Sequence, residues 1–287
     1  LVSLRLLDAW EERLTGLPDT TFSVHLPGGK RSARLNLYSA SEAPLQAVVR
    51  RWGGTLKQGS LRQEIQDSAR PFFLRVDSRL IVGSDEKLLA AQTNSKAVPL
   101  FVPAGMAFGT GQHATTAMCL RRLGEAMPAG SKGRMLDIGT GTGVLALAAS
   151  ALGWKATAFD NDPEAIRESR RNAARNPQIA PVSWSRADVG SYAPRVSFDV
   201  ITANLYAEIL AEHLPRISEW VAPDGIVIVS GILTEKESLV VRGAKNCQFR
   251  IDRRWKTGKW ICLRLQKSQK RVQDKFLEAP KAHDPIV

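Results

Sequence analysis

RMLDIGTGTGVLALAASALGWKATAFDND, residues 134–162, is the stretch whose reading decides the fold. Met135-Leu136-Asp137-Ile138 is a short apolar run, too brief for a helix and suited to a buried parallel strand. Gly139, Gly141 and Gly143 follow at alternate positions, letting the backbone turn tightly and a ligand approach the chain closely. From Val144 to Leu152 the residues are small or apolar helix formers, and Gly153 is placed as a C-cap. Ala156 to Phe159 reads as a second strand with Asp160 at its carboxyl end. Strand, glycine turn, helix, strand, acid is a layout that binds an adenosine-type cofactor.

The spacing is GxGxG rather than the GxGxxG of dinucleotide sites, where the third glycine serves close helix packing beside a pyrophosphate. It resembles the first motif of class I S-adenosylmethionine (AdoMet) methyltransferases, which implies that Asp160 accepts hydrogen bonds from ribose hydroxyls. A plain strand–turn–helix connection can carry such glycines too; the acid at the right place favours a cofactor site.

Working outward, Pro163 to Asn176 reads as a helix with Asp162 as N-cap and Pro163 at its first position. Val182 to Ala187 is a strand ending at Asp188, placed to meet an adenine amino group. Phe198 to Ala203 is a fourth strand, ending in Asn204-Leu205-Tyr206, and a helix runs on to about Val221. Pro223-Asp224-Gly225 turns into the strand Ile226 to Val229. Gln248 to Trp255 and Trp260 to Leu265 read as a hairpin. The expectation is an α/β fold with a doubly wound, mostly parallel seven-stranded sheet and a terminal antiparallel hairpin.

Upstream, Val102 to Leu123 holds an irregular loop with Gly105, Gly109 and Gly111, closing onto a helix that begins at Thr115-Thr116. Backbone donors there suit a carboxylate. His113 in that loop is either a ligand or base, or a structural histidine, and the structural reading is slightly favoured. Residues 1–60 read as a small α+β domain of ferredoxin-like order: a helix over Leu6–Leu14, strands over Thr21–Leu26 and Ser32–Tyr38, a helix capped by Ser41 and stopped by Gly53-Gly54, and a strand over Thr55–Gln58. Residues 61–97 read as a connecting region with two short strands between Phe72 and Val82. Residues 98–266 form the cofactor domain, and 267–287 are a polar tail.

The chain has 287 residues and a net charge of +12. Its apolar runs are too short to span a membrane, and LVSLRLLDAWEERL lacks the continuous apolar core of a signal peptide. Three cysteines, Cys119, Cys247 and Cys262, have no metal-ligand spacing and suit a reducing, cytoplasmic compartment. No metal is expected, and the protein is expected to be a monomer. The positive charge gathers between Arg242 and Arg271, with Trp255 and Trp260 interleaved; a solvated face and a ribosome- or nucleic-acid-facing patch are equally open readings.

Five segments together resemble the ribosomal protein L11 methyltransferase family. They are GMAFGTG (105–111) with His113 and Thr115-Thr116; LDIGTGTG (136–143); DNDP (160–163); ANLYAE (203–208); and SGIL (230–233). The resemblance covers about residues 70–265. It implies AdoMet as cofactor, with Thr116, Gly139, Asp160 and Asn204 as contacts and Phe108, His113 and Gly141 lining the same site. Asn204, with the backbone around Leu205-Tyr206 at the carboxyl end of the fourth strand, would also orient the acceptor amine. It implies further that the N-terminal domain docks a ribosomal protein whose lysine or N-terminal amine is methylated. Three rivals are weighed. Lysine methyltransferases of the electron-transfer flavoprotein beta subunit share the motif set. A nucleic-acid methyltransferase would carry (N/D)-P-P-(Y/F) where Asn204-Leu205-Tyr206-Ala207 stands without prolines. A non-catalytic ribosome-binding protein would have little use for an intact GxGxG and Asp160.

Overall fold

The computed structural model describes residues 2–3, 10, 14, 20–25, 32–39, 41–55, 71–92, 97–103 and 111–267. The chain divides into two compact units, Leu1–Arg70 and Pro71–Val287.

In the first unit, β1 (Val2–Ser3), β2 (Thr20–His25) and β3 (Ser32–Ser39) form an antiparallel sheet in the order β1-β3-β2, followed by α1 (Glu42–Trp52). Ser41 stands at the N-cap of α1 and Gly53, with φ of 78°, ends it, as the sequence predicts. Most of the expected first helix, and all of the expected strand over Thr55–Gln58 except Thr55, lie outside the described residues.

The second unit opens with β4 (Phe73–Arg75), β5 (Leu80–Gly83), α2 (Glu86–Ala90) and β6 (Val98–Phe101), whose strands make a three-stranded sheet. Leu80, Val82 and Leu100 are fully buried in the core shared with the domain that follows. Residues 71–92 and 97–101 thus pack as part of this unit.

The large sheet is built from β7 (Arg134–Ile138), β8 (Lys155–Asp160), β9 (Ser183–Arg186), β10 (Phe198–Asn204), β11 (Val221–Leu233), β12 (Phe249–Thr257) and β13 (Trp260–Lys267). Its order is β12-β13-β11-β10-β7-β8-β9. Four parallel pairings join β9 through β11, and β13 pairs antiparallel with both β11 and β12. The seven-stranded, mostly parallel sheet with its hairpin is therefore as expected. The antiparallel strand is not at the edge, however: β13 slots between β11 and β12.

Both faces are covered, so alternate strand residues enter opposite cores. Met135, Ala156, Ala158, Val200, Ile228 and Cys262 face one side, with α3 (Ala114–Ala126) and α4 (Val144–Ala151). Leu136, Phe159, Ile201, Val227 and Leu263 face the other, with α6 (Ala207–Trp220) and α7 (Glu237–Asn246). Between them in sequence, α5 (Pro163–Ala174) starts at Asp162, whose side chain accepts a hydrogen bond from Glu164 N. Arg79 fixes the far end of α3: its guanidinium donates to the carbonyls of Met127 (2.6 Å) and Gly124 (2.9 Å). A cation suits the exposed carbonyls of a helix C-terminus.

Candidate functional site

The strand order reverses at β7, with β8 added on one side of it and β10 on the other, and a crevice opens beyond the carboxyl ends of the strands there. A cleft of about 610 Å³ lies at this place, within the range of small-molecule sites. Its lining includes His113, Thr116, Gly139, Gly141, Asp160, Asp188, Asn204 and Leu205. Phe108, the remaining site residue read from the sequence, lies outside the described residues, as do Gly105 and Gly109.

One wall is the glycine turn. The amides of Gly139 (3.0 Å) and Thr140 (3.1 Å) both donate to the Phe159 carbonyl. Asp160 braces the turn from the end of β8: one carboxylate oxygen accepts from Gly141 N (2.9 Å) and the other from Asp162 N (3.0 Å). Each oxygen keeps a lone pair for a further donor. Gly139 has φ of 66°, and a Cβ there would lie 2.5 Å from Cδ2 of Leu205. Only glycine meets both demands. Beneath β8, Phe159 stacks on Tyr192 at 4.2 Å, and Trp220 closes edge-on. Farther along, Asp188 accepts a hydrogen bond from Gly190 N at 2.7 Å, which orients its carboxylate.

The opposite wall joins α3, β10, β11 and β13. His113 is the N-cap of α3, its Nδ1 accepting from Thr115 N. Burial first, and then the charge of Lys259, hold its imidazole below the usual 6.5, so the ring is neutral at pH 7. It also packs edge-on against Trp260 at 5.1 Å. Capping gives the structural role favoured from sequence a concrete form, while the ring still lines the cleft. Asn204 Nδ2 donates to Thr116 Oγ1 (3.2 Å), whereas its Oδ1 is buried and has no hydrogen-bond partner among the described residues. A buried, unsatisfied carbonyl oxygen is costly unless a ligand uses it.

Sequence reasoning missed other features here. Trp260, Ile209 and His213 also line the cleft, beside Tyr206 of the corner read from sequence; only the strand register, which brings Trp260 beside Leu233 of β11, could have placed the first. Asp137, read simply as a strand residue, is buried under the turn and accepts from Thr140 Oγ1 (2.6 Å) and Thr202 Oγ1 (2.5 Å).

Burial pushes the Asp137 carboxyl up from 3.8 to about 6, against the pull of those two hydroxyls. A folded-state pKa above the unfolded value means that the native chain holds its proton longer. Below about pH 3 both states are protonated. Stability then falls as pH rises from about 4 to 6, by about 2–3 kcal/mol, and stays reduced above that. We expect Asp137→Asn to gain roughly that much relative to wild type between pH 4.5 and 7 in urea unfolding. A constant difference across the range would mean that Asp137 titrates normally.

Among the described residues no group of three His, Cys, Asp or Glu side chains could hold a metal ion. No helix among them is long and apolar enough to cross a membrane.

Comparison with known proteins agrees with this architecture. The crystal structure of ribosomal protein L11 methylase from Lactobacillus delbrueckii subsp. bulgaricus aligns with a TM-score of 0.60 at 26% identity, covering 69% of this chain and 99% of that one. Two curated relatives are each called ribosomal protein L11 methyltransferase. The Thermus thermophilus protein is 39% identical over 166 residues, covering 58% of this chain and 64% of the relative. The Geobacter metallireducens protein is 40% identical over 167 residues, covering 58% of this chain and 53% of the relative. The chain thus matches between about half and two thirds of those relatives' length. The family model described as "Ribosomal protein L11 methyltransferase (PrmA)" matches residues 64–268, most of the second unit and every described residue of the cleft. On that match, and on the motifs that first suggested it, the chain belongs to the ribosomal protein L11 methyltransferase family.

Proposed function

We propose that this chain transfers methyl groups from AdoMet to lysine side-chain or N-terminal amines of a ribosomal protein resembling L11. The carrying observation is the division of one cleft into a carboxylate-bearing wall, with Asp160 and Asp188, and an opposite wall whose buried Asn204 Oδ1 awaits a donor.

The residues fit the cofactor. The glycine turn offers backbone that a side chain would obstruct, and the Asp160 lone pairs suit ribose hydroxyls. Asp188 suits an exocyclic amine, and Thr115 and Thr116 at the N-terminus of α3 suit a carboxylate. Bound there, AdoMet supplies a methyl group already activated by its sulfonium charge.

What remains for the protein is alignment of a neutral nitrogen. A free lysine, with a pKa of about 10.4, is mostly protonated at neutral pH. A carboxylate beside the nitrogen would hold it so. The lining residues of the second wall (His113, Thr115, Thr116, Asn204, Leu205, Tyr206, Gly231 and Trp260) include none, and His113 is neutral. Asn204 Oδ1 accepts an N–H of the amine and so turns the nitrogen lone pair away from itself, towards the opposite wall. The side chain is held for this by its own amide bond to Thr116.

Ribosome contact through residues 242–271 belongs to the same proposal. Several of those cations serve the fold instead: Arg254 forks onto Glu237 (2.6 and 2.8 Å), Arg264 pairs with Asp252, and Lys267 donates to the carbonyls of Ser218 and Val221. Arg242, Lys245, Arg253 and Lys256 are exposed and are the cations we assign to phosphate. Lys270 and Arg271 lie outside the described residues. A cytoplasmic location accords with such a partner.

The test is methyl transfer from labelled AdoMet into hypomethylated ribosomes, with and without RNase, followed by mass spectrometry. Label should enter an amine of a small ribosomal protein, and ribosome association should weaken with salt at a slope of no more than about 4 phosphate contacts. Label in RNA would overturn the proposal.

A further inference from the structure

We infer that the first two turns of α6 form a docking lip for the polypeptide segment that carries the acceptor amine, with Tyr206 and Ile209 as its apolar contacts and Glu212 as its charge. The inference rests on the activity proposed above.

Tyr206 is 67% exposed and Ile209 36%, two of the five exposed large hydrophobic residues among those described. Both line the cleft, and at a spacing of three they share one helix face. Tyr206 occupies the N-cap of α6 and makes no side-chain cap bond. Ser, Thr, Asp or Asn would serve the helix better there, so the ring is not explained by helix stability or by burial.

The backbone that presents it is fixed. Leu205 N donates to Ser230 O (3.1 Å), and Leu210 N donates to Tyr206 O (3.0 Å). A ring projecting from a rigid corner loses little freedom when a partner packs on it.

Charge selects the partner. The chain is strongly basic, yet the early part of α6 carries Glu208 and Glu212. Lys236 pairs with Glu208 at 2.5 Å, while Glu212 is 74% exposed and its ion-pair partner among the described residues is His213, whose Nε2 lies 3.9 Å away. Arg216 is turned inward onto the Tyr192 carbonyl (2.9 Å). An aromatic ring, an aliphatic neighbour and a solvated carboxylate suit an extended, lysine-rich segment with an apolar residue near its target amine. The same carboxylates disfavour a phosphate backbone at this position.

The test uses the full chain, ribosomal protein L11 as acceptor and labelled AdoMet. Tyr206→Ala combined with Ile209→Ser should raise KM for the protein about tenfold, leaving kcat and AdoMet affinity within about twofold. Tyr206→Phe should keep KM for the protein within about twofold of wild type, because the ring rather than the hydroxyl is the contact. Glu212→Gln should raise KM at low salt only. Unchanged KM in the double variant, with wild type active, would overturn the lip alone. So would an AdoMet affinity that falls in step with KM, which would assign the pair to the cofactor wall. Wild-type protein that binds AdoMet but labels no ribosomal protein would overturn the proposed activity, and the lip with it.

Discussion

Asp160→Ala is expected to weaken AdoMet binding about 100-fold or more, the largest effect on ligand affinity foreseen for a single change in the cleft. Two losses combine. A carboxylate that accepts two ribose hydroxyls makes charge-assisted hydrogen bonds, each worth about 1.5–3 kcal/mol. The same carboxylate ties Gly141 N and Asp162 N to the end of β8, so its removal also frees the glycine turn. Asp160→Asn is intermediate: its one oxygen keeps one of the two backbone bonds while the charge and the other bond are lost, and a loss of about tenfold or more is expected. Isothermal titration of AdoMet against the three proteins measures this. Near-normal affinity in the alanine variant would mean that the glycine turn does not hold the cofactor.

Gly231→Ala should be the most damaging substitution for the fold around the cleft. Gly231 has φ of 83°, and a Cβ there would meet the Leu205 carbonyl oxygen at 2.5 Å and its carbonyl carbon at 3.0 Å. The obstacle is backbone, which cannot rotate aside as a side chain can. It lies where the register of β11 against β13 shifts between Val229 and Ile232, a bulge that needs an unusual conformation. Left-handed strain and the collision together should cost roughly 3 kcal/mol or more. Relief requires the Asn204–Tyr206 corner to move, so methyl transfer should fall further than stability alone explains. Urea unfolding with kcat measured on the remaining folded fraction tests both parts. A variant of wild-type stability would mean that the corner is mobile.

The two predictions concern parts of the site that differed in how far they could be read from sequence. Everything around Asp160 lies in one continuous stretch, where strand, glycines, helix and acid are neighbours in the chain and their spacing is the signal. The Gly231–Leu205 contact joins residues on different strands, and nothing local marks it. Asp137 shows the same limit in another way. Within an apolar run it looks like an ordinary strand acid; its burial follows from Thr202, which lies on β10 and reaches it only once the sheet is assembled. The glycine loop with His113 was read as a ligand-binding turn. The capping bond to Thr115 needed coordinates, because a histidine N-cap has no strong sequence signature. The number and direction of the parallel strands followed from alternating strand and helix patterns. The place of β13 did not: a hairpin motif says which strands pair with each other, and not which of them meets the rest of the sheet.

That placement has a consequence in time. As the chain is synthesised, β7 to β11 can assemble in order, each beside a strand already made. β12 comes next but has no neighbour of its own in the sheet until β13 follows it. Until then the edge of β11, Ile226-Val227-Ile228-Val229, stays open, an apolar strand inviting wrong partners. Trp260, which contributes to the second wall, arrives with the same strand. A nascent chain therefore carries the glycine-turn wall early and completes the facing wall, begun by His113 and Asn204, only when Trp260 arrives.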